Sequence, residues 1–318
     1  MMPKVWMFPG QGAQSARMGI KFLTQAPFLA TIERIEAATG RPVRHLVESC
    51  VEGDLIRTDR AQLAIFAMSA GLMMGLQAAG QQPDLVAGHS LGHFSALVAA
   101  GVIGLEEAAL LVDARGRFMR AGGERVSGGM GVVQGLPSPL VEALLADAKL
   151  QVWAANINLA DQIVVAGSVE DLPKARDIMV QAGGRWVALN VSGAFHSPLL
   201  MREAAAFADL IARTDLQTPK VPVLANATGQ AMTSSAEIRA DLMTHMTGQV
   251  RWVAVMDQIL ARNPSVMVEV GPGKVLTGLM MRHQPGQRPQ PTSLPPLFDR
   301  ALATLSGTPA PLSQDQAA

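Results

Sequence analysis

The sequence has almost no cysteine and no excess of charge of either sign. Cys50 is the single cysteine among 318 residues, so an internal disulfide framework and a four-cysteine metal site are both excluded. Lys and Arg together number 26, as do Asp and Glu, so no overall field draws the chain towards nucleic acid or anionic lipid. Because a single cysteine suits a reducing compartment, we expect a cytoplasmic protein.

Secretion is not expected from the first residues of the sequence. The residues before Pro9 include only a short apolar run, too short for the hydrophobic region of a signal peptide. Residues 61–83 carry no charge and hold Gly71 and Gly75 at the spacing of a membrane-helix packing motif. Five Gln or Ser residues interrupt this stretch. We therefore favour a helix buried on all sides within a large core over a membrane span.

Apolar strands alternate with longer helical segments along the first 120 residues. The first strand candidates are Val5 to Phe8 and Leu85 to Ala87, and the same rhythm returns later at Val221 to Ala225 and Val266 to Val270. This alternation predicts an α/β fold, in which a large α/β-hydrolase-like domain has a mostly parallel sheet with helices on both faces.

Residues 128–191 follow a different order, β-α-β-β-α-β, which is typical of a ferredoxin-like subdomain. We interpret it as an insertion, so that residues 1–127 and 192–284 form the two parts of the large domain, with a cleft between domain and insert. Residues 285–318 are rich in Pro, Gln and Ser. They are predicted to form a mobile C-terminal tail with one short helix at Leu297 to Leu305.

The segment Gly88 to Gly92 has the pattern Gly-His-Ser-Leu-Gly between an apolar strand and a helical run. This is the context of a nucleophile elbow, in which small flanking residues let a sharp turn project the serine hydroxyl above the sheet edge. The following helix would add free amides and partial positive charge that stabilise an oxyanion. The pattern predicts Ser90 as a nucleophile.

A serine nucleophile needs a base, and the chain has six histidines. His196 lies directly after the last strand of the insert, where a loop would face the cleft, so we favour it as the general base. His93 lies one helical step beyond Ser90 and is the alternative. His45, His245 and His283 remain weaker candidates. Since no acidic residue stands at the spacing of an α/β-hydrolase triad, the third member is expected to be a backbone carbonyl.

Arg115 is the one charged residue on the apolar face of a predicted helix. Leu105, Ala108, Val112 and Met119 share that face at steps of three or four residues. Burying a guanidinium is costly unless an anion meets it. Two interpretations stay open: a structural salt bridge, or a clamp that holds a substrate carboxylate by two parallel hydrogen bonds.

These motifs together resemble the malonyl-coenzyme A:acyl carrier protein transacylase family, including the stand-alone acyltransferases of polyketide synthases. The resemblance runs from about Val5 to His283. It rests on the following segments: Pro9 to Gln14, Gly88 to Gly92, Arg115-Gly116, Ala194 to His196, Val250 to Trp252 and Glu269 to Gly273. The loop at Pro9 lacks the lysine of a P-loop and the order of a dinucleotide fingerprint, so nucleotide binding is not expected.

The resemblance implies roles for individual residues. Ser90 would be the nucleophile, His196 the base and Arg115 the clamp for a malonyl carboxylate, while the amides of Gln11 and Leu91 would form the oxyanion hole. Phe195 resembles the malonyl-selective form of the motif. Metals and organic cofactors are not expected. The implied partners are malonyl-CoA and an acyl carrier protein with its phosphopantetheine arm. The protein is expected to be a monomer that binds neither nucleic acid nor a membrane.

The chain departs from the family pattern in three places. His93 stands where many relatives have Glu, and His245 where many have Gln; both residues are expected to line the site. Residues 158–162 replace a commoner Asn-Ser-Pro-Gly-Gln, in a loop expected near coenzyme A or the carrier.

The predicted activity is a ping-pong transfer through an acyl-serine, in either fatty acid or polyketide synthesis. One alternative is an editing hydrolase that uses Ser90 and His196 with water to clear acyl groups from carrier proteins. Another is an inactive docking module. Arg115 argues against the first, since an enzyme that clears plain acyl chains gains nothing from a buried cation. The intact serine and histidine argue against the second.

Overall fold

Ten strands and twelve helices make up the computed structural model of the protein, which describes residues 2–308. The strands are β1 Lys4–Phe8, β2 Leu85–Gly88, β3 Gly128–Gln134, β4 Val152–Leu159, β5 Gln162–Ser168, β6 Arg185–Leu189, β7 Val223–Leu224, β8 Ala231–Met232, β9 Val266–Glu269 and β10 Gln290–Pro291. The helices are α1 Ala26–Thr39, α2 Val43–Glu48, α3 Thr58–Ala78, α4 Gly92–Ala99, α5 Leu105–Arg125, α6 Ser138–Ala148, α7 Leu172–Gln181, α8 Met201–Arg213, α9 Ser235–Thr244, α10 Trp252–Leu260, α11 Val275–His283 and α12 Pro295–Ser306.

The larger sheet has six strands in the order β10-β9-β1-β2-β7-β8. All neighbours in it are parallel except β7 and β8. Its central strands β1 and β2 are apolar and almost wholly buried, as expected of parallel strands with helices on both faces. This sheet confirms the predicted fold class, and the carboxyl ends of β1, β2 and β7 meet at one edge.

Helix α3 lies in the core against α1 and α5. It is the one helix in residues 2–308 that is long and apolar enough to cross a membrane, but 78% of its most apolar window is buried inside the fold. Gly71 is the point of closest approach to α1, because a Cβ there would lie 2.5 Å from the Phe28 ring. The uncharged stretch therefore packs as a core helix, and its glycine serves helix packing inside the protein.

The smaller sheet has four antiparallel strands in the order β4-β5-β3-β6. This is the strand order of a ferredoxin-like unit, and it spans the chain from β3 to β6 as predicted. Helices α6 and α7 pack on this sheet and bury a core of its own, which includes Val133, Ile163 and Met179. A bridge between Asn156 and Val250 connects the sheet to the large domain.

The structure differs from the expected mobile tail over residues 290–306. Strand β10 pairs with β9 at the sheet edge, and α12 covers that edge. The composition suggested mobility, but α12 places Phe298, Ala301 and Leu305 on one buried face, and Phe298 packs edge-on against Phe22. Residues 309–318, the rest of the predicted tail, lie outside the described residues.

Several short elements were not predicted from the sequence, namely α2, α9, α11, β8 and β10. They are short, and α9 has no clear apolar stripe that periodicity would reveal. Helix α9 instead begins with a capping box, in which Ser234 and Glu237 satisfy each other's free amides.

Candidate active site

Ser90 sits on a sharp turn between β2 and α4. Its φ angle is +50°, a conformation that a serine adopts only when the surrounding structure enforces it. The turn closes tightly because its flanking residues lack side chains: a Cβ on Gly88 would lie 2.2 Å from the backbone of Gly92. A Cβ on Gly92 would lie 2.0 Å from the carbonyl oxygen of Phe8. The predicted strand, turn and helix are thus all present around Ser90.

His196 faces Ser90 across the cleft. Its Nε2 is 2.7 Å from the Ser90 Oγ, and its Nδ1 is 3.0 Å from the carbonyl oxygen of Gly248. A carbonyl oxygen only accepts, so Nδ1 donates to Gly248 and Nε2 keeps a lone pair for the serine proton. The carbonyl thereby occupies the place that a carboxylate has in a Ser-His-Asp triad.

Burial holds the His196 ring neutral. Removal from water, together with the positive charge of Arg115, lowers the pKa of His196 from 6.5 to about 3. The hydrogen bond to Gly248 acts in the opposite direction but does not outweigh burial. At neutral pH the imidazole is therefore unprotonated and able to accept a proton.

Arg115 approaches Ser90 from the core side. Its Nη2 donates to the Ser90 Oγ at 3.1 Å, and its Nη1 donates to the Gln62 Oε1 at 2.6 Å. The side chain is buried, and within residues 2–308 no Asp or Glu oxygen lies within 4.0 Å of it. Burial lowers the pKa of Arg115 to about 9, which leaves the guanidinium charged at neutral pH. The salt-bridge interpretation thus lacks a partner in this part of the chain.

The backbone amides of Gln11 and Leu91 line the same cleft. Across residues 2–308, neither N–H group donates a hydrogen bond to a protein acceptor. Leu91 is the N-cap of α4, so its amide belongs to the free end of the helix, where partial positive charge gathers. Two free amides beside a serine hydroxyl can hold a developing oxyanion.

The cleft between the two sheets encloses a cavity of about 520 Å³. Ser90, His196 and Arg115 lie on its wall together with Phe195. The ferredoxin-like unit contributes apolar side chains from β3, β5 and β6, and polar side chains from β4 and from Gln162 at the start of β5. The lining residues from this unit are Met130, Val132, Asn156, Asn158, Gln162, Val164 and Leu189. Neither the large domain nor the insert forms this cavity alone.

His93 and His245 do not line the cavity, contrary to the expectation from the sequence. Both are buried behind the elbow, where their rings stack with centroids 5.4 Å apart, and the His245 ring meets the edge of the His196 ring. His93 lies on α4 one turn beyond Ser90, but the helix turns that face into the core. His89 lines the cavity beside Ser90, with its Nε2 2.9 Å from the Asn158 Oδ1. The last two histidines do not line the cavity: His45 bonds Ser49, and His283 bonds Asp257.

Four residues of the site were not identified from the sequence: Thr58, Gln62, Asn226 and Gly248. The Thr58 hydroxyl bonds the side chains of Gln11 and Gln62, which connects the loop after β1 to the partner of Arg115. Gln62 was visible as a polar interruption of an apolar helix. Asn226 follows β7 at the carboxyl edge of the sheet, a position where ligand sites gather. No local signal marks Gly248, because its contribution is a carbonyl oxygen.

The fold and cleft define a class: serine acyl-transfer enzymes built on a parallel α/β sheet with a nucleophile elbow. The chain belongs to the acyl transferase domain family, whose model matches residues 5–294. This match confirms the resemblance inferred from the motifs.

Individual relatives cover nearly the whole chain. The malonyl CoA-acyl carrier protein transacylase of Synechocystis sp. is 36% identical over 89% of this chain and 94% of its own length. The transacylase structure from Coxiella burnetii superimposes with a TM-score of 0.90 at 30% identity, covering 96% of this chain and 98% of that one. A malonyl-transacylase solved in complex with a type II polyketide acyl-carrier protein has a TM-score of 0.89 at 30% identity, covering 96% and 99%.

Proposed function

We propose that this protein transfers a malonyl group from malonyl-CoA to the phosphopantetheine thiol of an acyl carrier protein, through a covalent acyl-Ser90 intermediate. The relatives named as malonyl transacylases, and the one solved with its carrier protein, support this reaction. We further propose that the protein acts as a monomer in the cytoplasm, without a metal or an organic cofactor.

The observation that carries the proposal is a buried, charged guanidinium in hydrogen-bonding contact with the serine. Arg115 donates to the Ser90 Oγ and has no acidic partner among residues 2–308, so an anion from the substrate would compensate its burial. In malonyl-CoA one carbon separates the free carboxylate from the thioester carbonyl. A group of this length brings its carboxylate to Arg115 while its carbonyl lies at Ser90.

The geometry supports a two-step transfer. His196 Nε2 takes the proton of Ser90 as Oγ attacks the thioester carbonyl, and the amides of Gln11 and Leu91 hold the oxyanion. The C–S bond then breaks, and His196 returns the proton to the coenzyme A sulfur. In the second step the carrier's thiol gives its proton to His196 and attacks the acyl-serine. Ser90 regains the proton as the new thioester forms.

The editing hydrolase is less well supported. A hydrolase that clears plain acyl chains has no use for a charged Arg115 at the serine, and the relatives cited are transacylases. A docking module without activity would not need the strained Ser90, the polarised His196 and two free amides in one cleft.

The test is to load the protein with malonyl-CoA and read the mass of the intact chain. Wild-type protein is expected to gain one malonyl group, and Ser90→Ala is expected to gain none, because the attacking oxygen is absent. Ser15→Ala is a matched control, since Ser15 also lines the cavity but is exposed and makes no hydrogen bond to Ser90 or His196.

A panel of acyl-CoA esters followed by addition of holo carrier protein then separates the candidate functions. The transferase is expected to load malonyl in preference to acetyl and to pass it to the carrier. Release of free malonate without carrier acylation would indicate the hydrolase, and an adduct that persists in Ser90→Ala would exclude Ser90.

A further inference from the structure

Asn226 ties together the two ends of the elbow. Its side-chain oxygen Oδ1 accepts from the backbone N–H of Ser90 at 2.8 Å, and its Nδ2 donates to the carbonyl of Gly88 at 3.0 Å. The same Nδ2 lies 3.0 Å from Nδ1 of His93. Since the amide of Asn226 is buried, each of these contacts is made without competition from water.

The backbone partners decide which way the Asn226 amide points. The Ser90 N–H is only a donor and the Gly88 carbonyl is only an acceptor, so Oδ1 must face the first and Nδ2 the second. Nδ2 then also presents its remaining hydrogen to His93. The Nδ1 atom of His93 must therefore carry a lone pair, and the ring proton must lie on Nε2.

The other side of the His93 ring is held far less firmly. Nε2 lies 3.4 Å from the Asp241 Oδ2, and neither atom has a partner with hydrogen-bond geometry in residues 2–308. The polar connection of His93 to the rest of the protein thus runs through Nδ1 and Asn226.

The surroundings of His93 keep its ring neutral. Burial is the largest effect and lowers the pKa of His93. The charge of Asp241 raises this pKa by less than burial lowers it, and the positive charge of Arg115 lowers it further. His245, the remaining titratable group packed on the ring, is itself held neutral by burial. A neutral imidazole can present the lone pair that Asn226 requires.

From these contacts we infer that His93 is a positioning residue: its Nδ1 lone pair accepts the remaining hydrogen of the Asn226 amide and so helps to keep that amide on the elbow, where it holds the Ser90 backbone and Oγ in place for acyl transfer. This inference rests on the proposed function. His93 does not line the cavity and makes no hydrogen bond to Ser90 Oγ, so the hydrogen-bonded route from its ring to Ser90 runs through Asn226. Without the lone pair, one Nδ2 hydrogen would be buried unsatisfied, and the amide would be held at the elbow only by its two backbone hydrogen bonds.

Three substitutions of His93 distinguish the roles of its two ring nitrogens. In His93→Asn the new Oδ1 can occupy the place of Nδ1 and accept from Asn226. In His93→Gln the amide reaches the place of Nε2, near Asp241, and leaves Asn226 without its acceptor. In His93→Leu neither polar atom remains, but the apolar volume is kept.

The rate of Ser90 malonylation, measured by rapid quench and intact mass, is the readout. His93→Asn is expected to stay within about threefold of wild type in kcat, whereas His93→Gln and His93→Leu are expected to lose about 10- to 100-fold, as small misplacements of a nucleophile do. The KM for malonyl-CoA is expected to change less than twofold in all three, because the Arg115 clamp is untouched.

A matched measurement in the Asn226→Ala background completes the cycle. There, His93→Leu is expected to cause no further loss, since the two residues act in series. Thermal unfolding of each variant shows that the compared proteins are folded. A general loss of packing would instead lower the unfolding temperature and affect all three His93 variants in order of lost volume.

The inference is overturned if His93→Leu keeps the wild-type rate, if His93→Gln recovers it while His93→Asn does not, or if the His93 and Asn226 losses add. Failure of the wild-type protein to load malonyl would be a different result. It would contradict the proposed function itself, and so the two failures are distinguishable.

Discussion

Two side chains converge on the hydroxyl oxygen of Ser90 in this protein. The Ser90 Oγ lies 2.7 Å from the base nitrogen of His196 and 3.1 Å from a guanidinium nitrogen of Arg115. These neighbours have opposite effects on the chemistry. The base removes the serine proton, while burial and, to a smaller extent, the nearby cation lower the pKa of that base and keep it neutral. Residue-scale predictions therefore centre on Arg115.

Replacing Arg115 by Ala is expected to slow malonyl loading far more than acetyl loading. Without the guanidinium, the malonyl carboxylate loses two charge-assisted hydrogen bonds. The loss of binding energy is about 2–3 kcal/mol, or roughly 30- to 150-fold in kcat/KM. Loading rates with malonyl-CoA and acetyl-CoA measure the difference. Arg117→Ala on the same helix is the matched control, because that side chain is largely exposed. Equal losses for both substrates would point to a structural role for Arg115.

The same substitution is expected to move the acid limb of the pH profile to higher pH. Loading needs neutral His196, so the rate is constant above the pKa of His196 and falls as the pH drops through it. That pKa is held at about 3 by burial and by Arg115, and loss of the cation raises it. The measurement is kcat/KM for acetyl-CoA, whose acyl group does not ionise, with circular dichroism at each pH to verify folding. An unshifted limb in Arg115→Ala would mean that Arg115 does not act on His196.

At the scale of elements, the elbow depends on how closely α4 approaches β1. Gly92 allows that approach, since a side chain there would meet the carbonyl oxygen of Phe8 at 2.0 Å. Because backbone atoms cannot move aside cheaply, the helix and its free N-terminal amides would shift relative to the cleft.

Gly92→Ala is expected to cost about 1–3 kcal/mol of unfolding free energy and to slow loading by about 100-fold. Gly278→Ala is the matched control on α11, where nothing lies within 4 Å of the added Cβ. An open helix interior favours Ala over Gly, so the control is expected to gain about 0.5–1 kcal/mol. Urea unfolding and malonyl loading measure both. A wild-type rate in Gly92→Ala would show that the elbow tolerates a wider turn.

Elements differ in how well periodicity predicts them. The strands β1, β2 and β9 follow strong apolar patterns, and the structure has them within a residue or two of the predicted bounds. Helix α5, predicted from the apolar face between Leu105 and Met119, extends to Arg125. Strand β7 is only two residues long, where a longer run was predicted. Its pairing ends because the chain turns at once towards Asn226, whose side chain is required at the elbow.

At the scale of the whole molecule, the C-terminal helix α12 completes the core of the large domain. Phe298 packs against Phe22 and touches the position of Gly75 on α3, so it joins the last helix to the central one. The site lies in the cleft between the sheets, and within residues 2–308 its lining includes no residue of α12.

Phe298→Ala is expected to lower the unfolding free energy by about 3–5 kcal/mol and to leave malonyl loading of the folded protein within twofold of wild type. Leu294→Ala, at an exposed position just before the helix, is expected to change stability by less than about 0.5 kcal/mol. Urea unfolding curves of the two variants check this. Similar stability for Phe298→Ala and wild type would mean that the tail folds independently of the core.

The sequence by itself determined the fold class, the elbow at Ser90 and the anomalous charge of Arg115. These are local properties: apolar periodicity, the small residues of a tight turn, and one cation on an apolar helix face all lie within a few residues of chain. His196 was selected from six histidines by its place at the end of the insert, and the structure has it in contact with Ser90.

Only the tertiary structure decided which groups support those residues. Gly248 contributes a carbonyl that no side-chain pattern can encode, and Asn226 reaches Ser90 from 136 positions along the chain. His93 was expected in the cleft but faces the core, because the turn before α4 determines which side of that helix meets the cavity. Contacts between distant segments depend on how sheets and helices pack against each other, and no single stretch of sequence determines that packing.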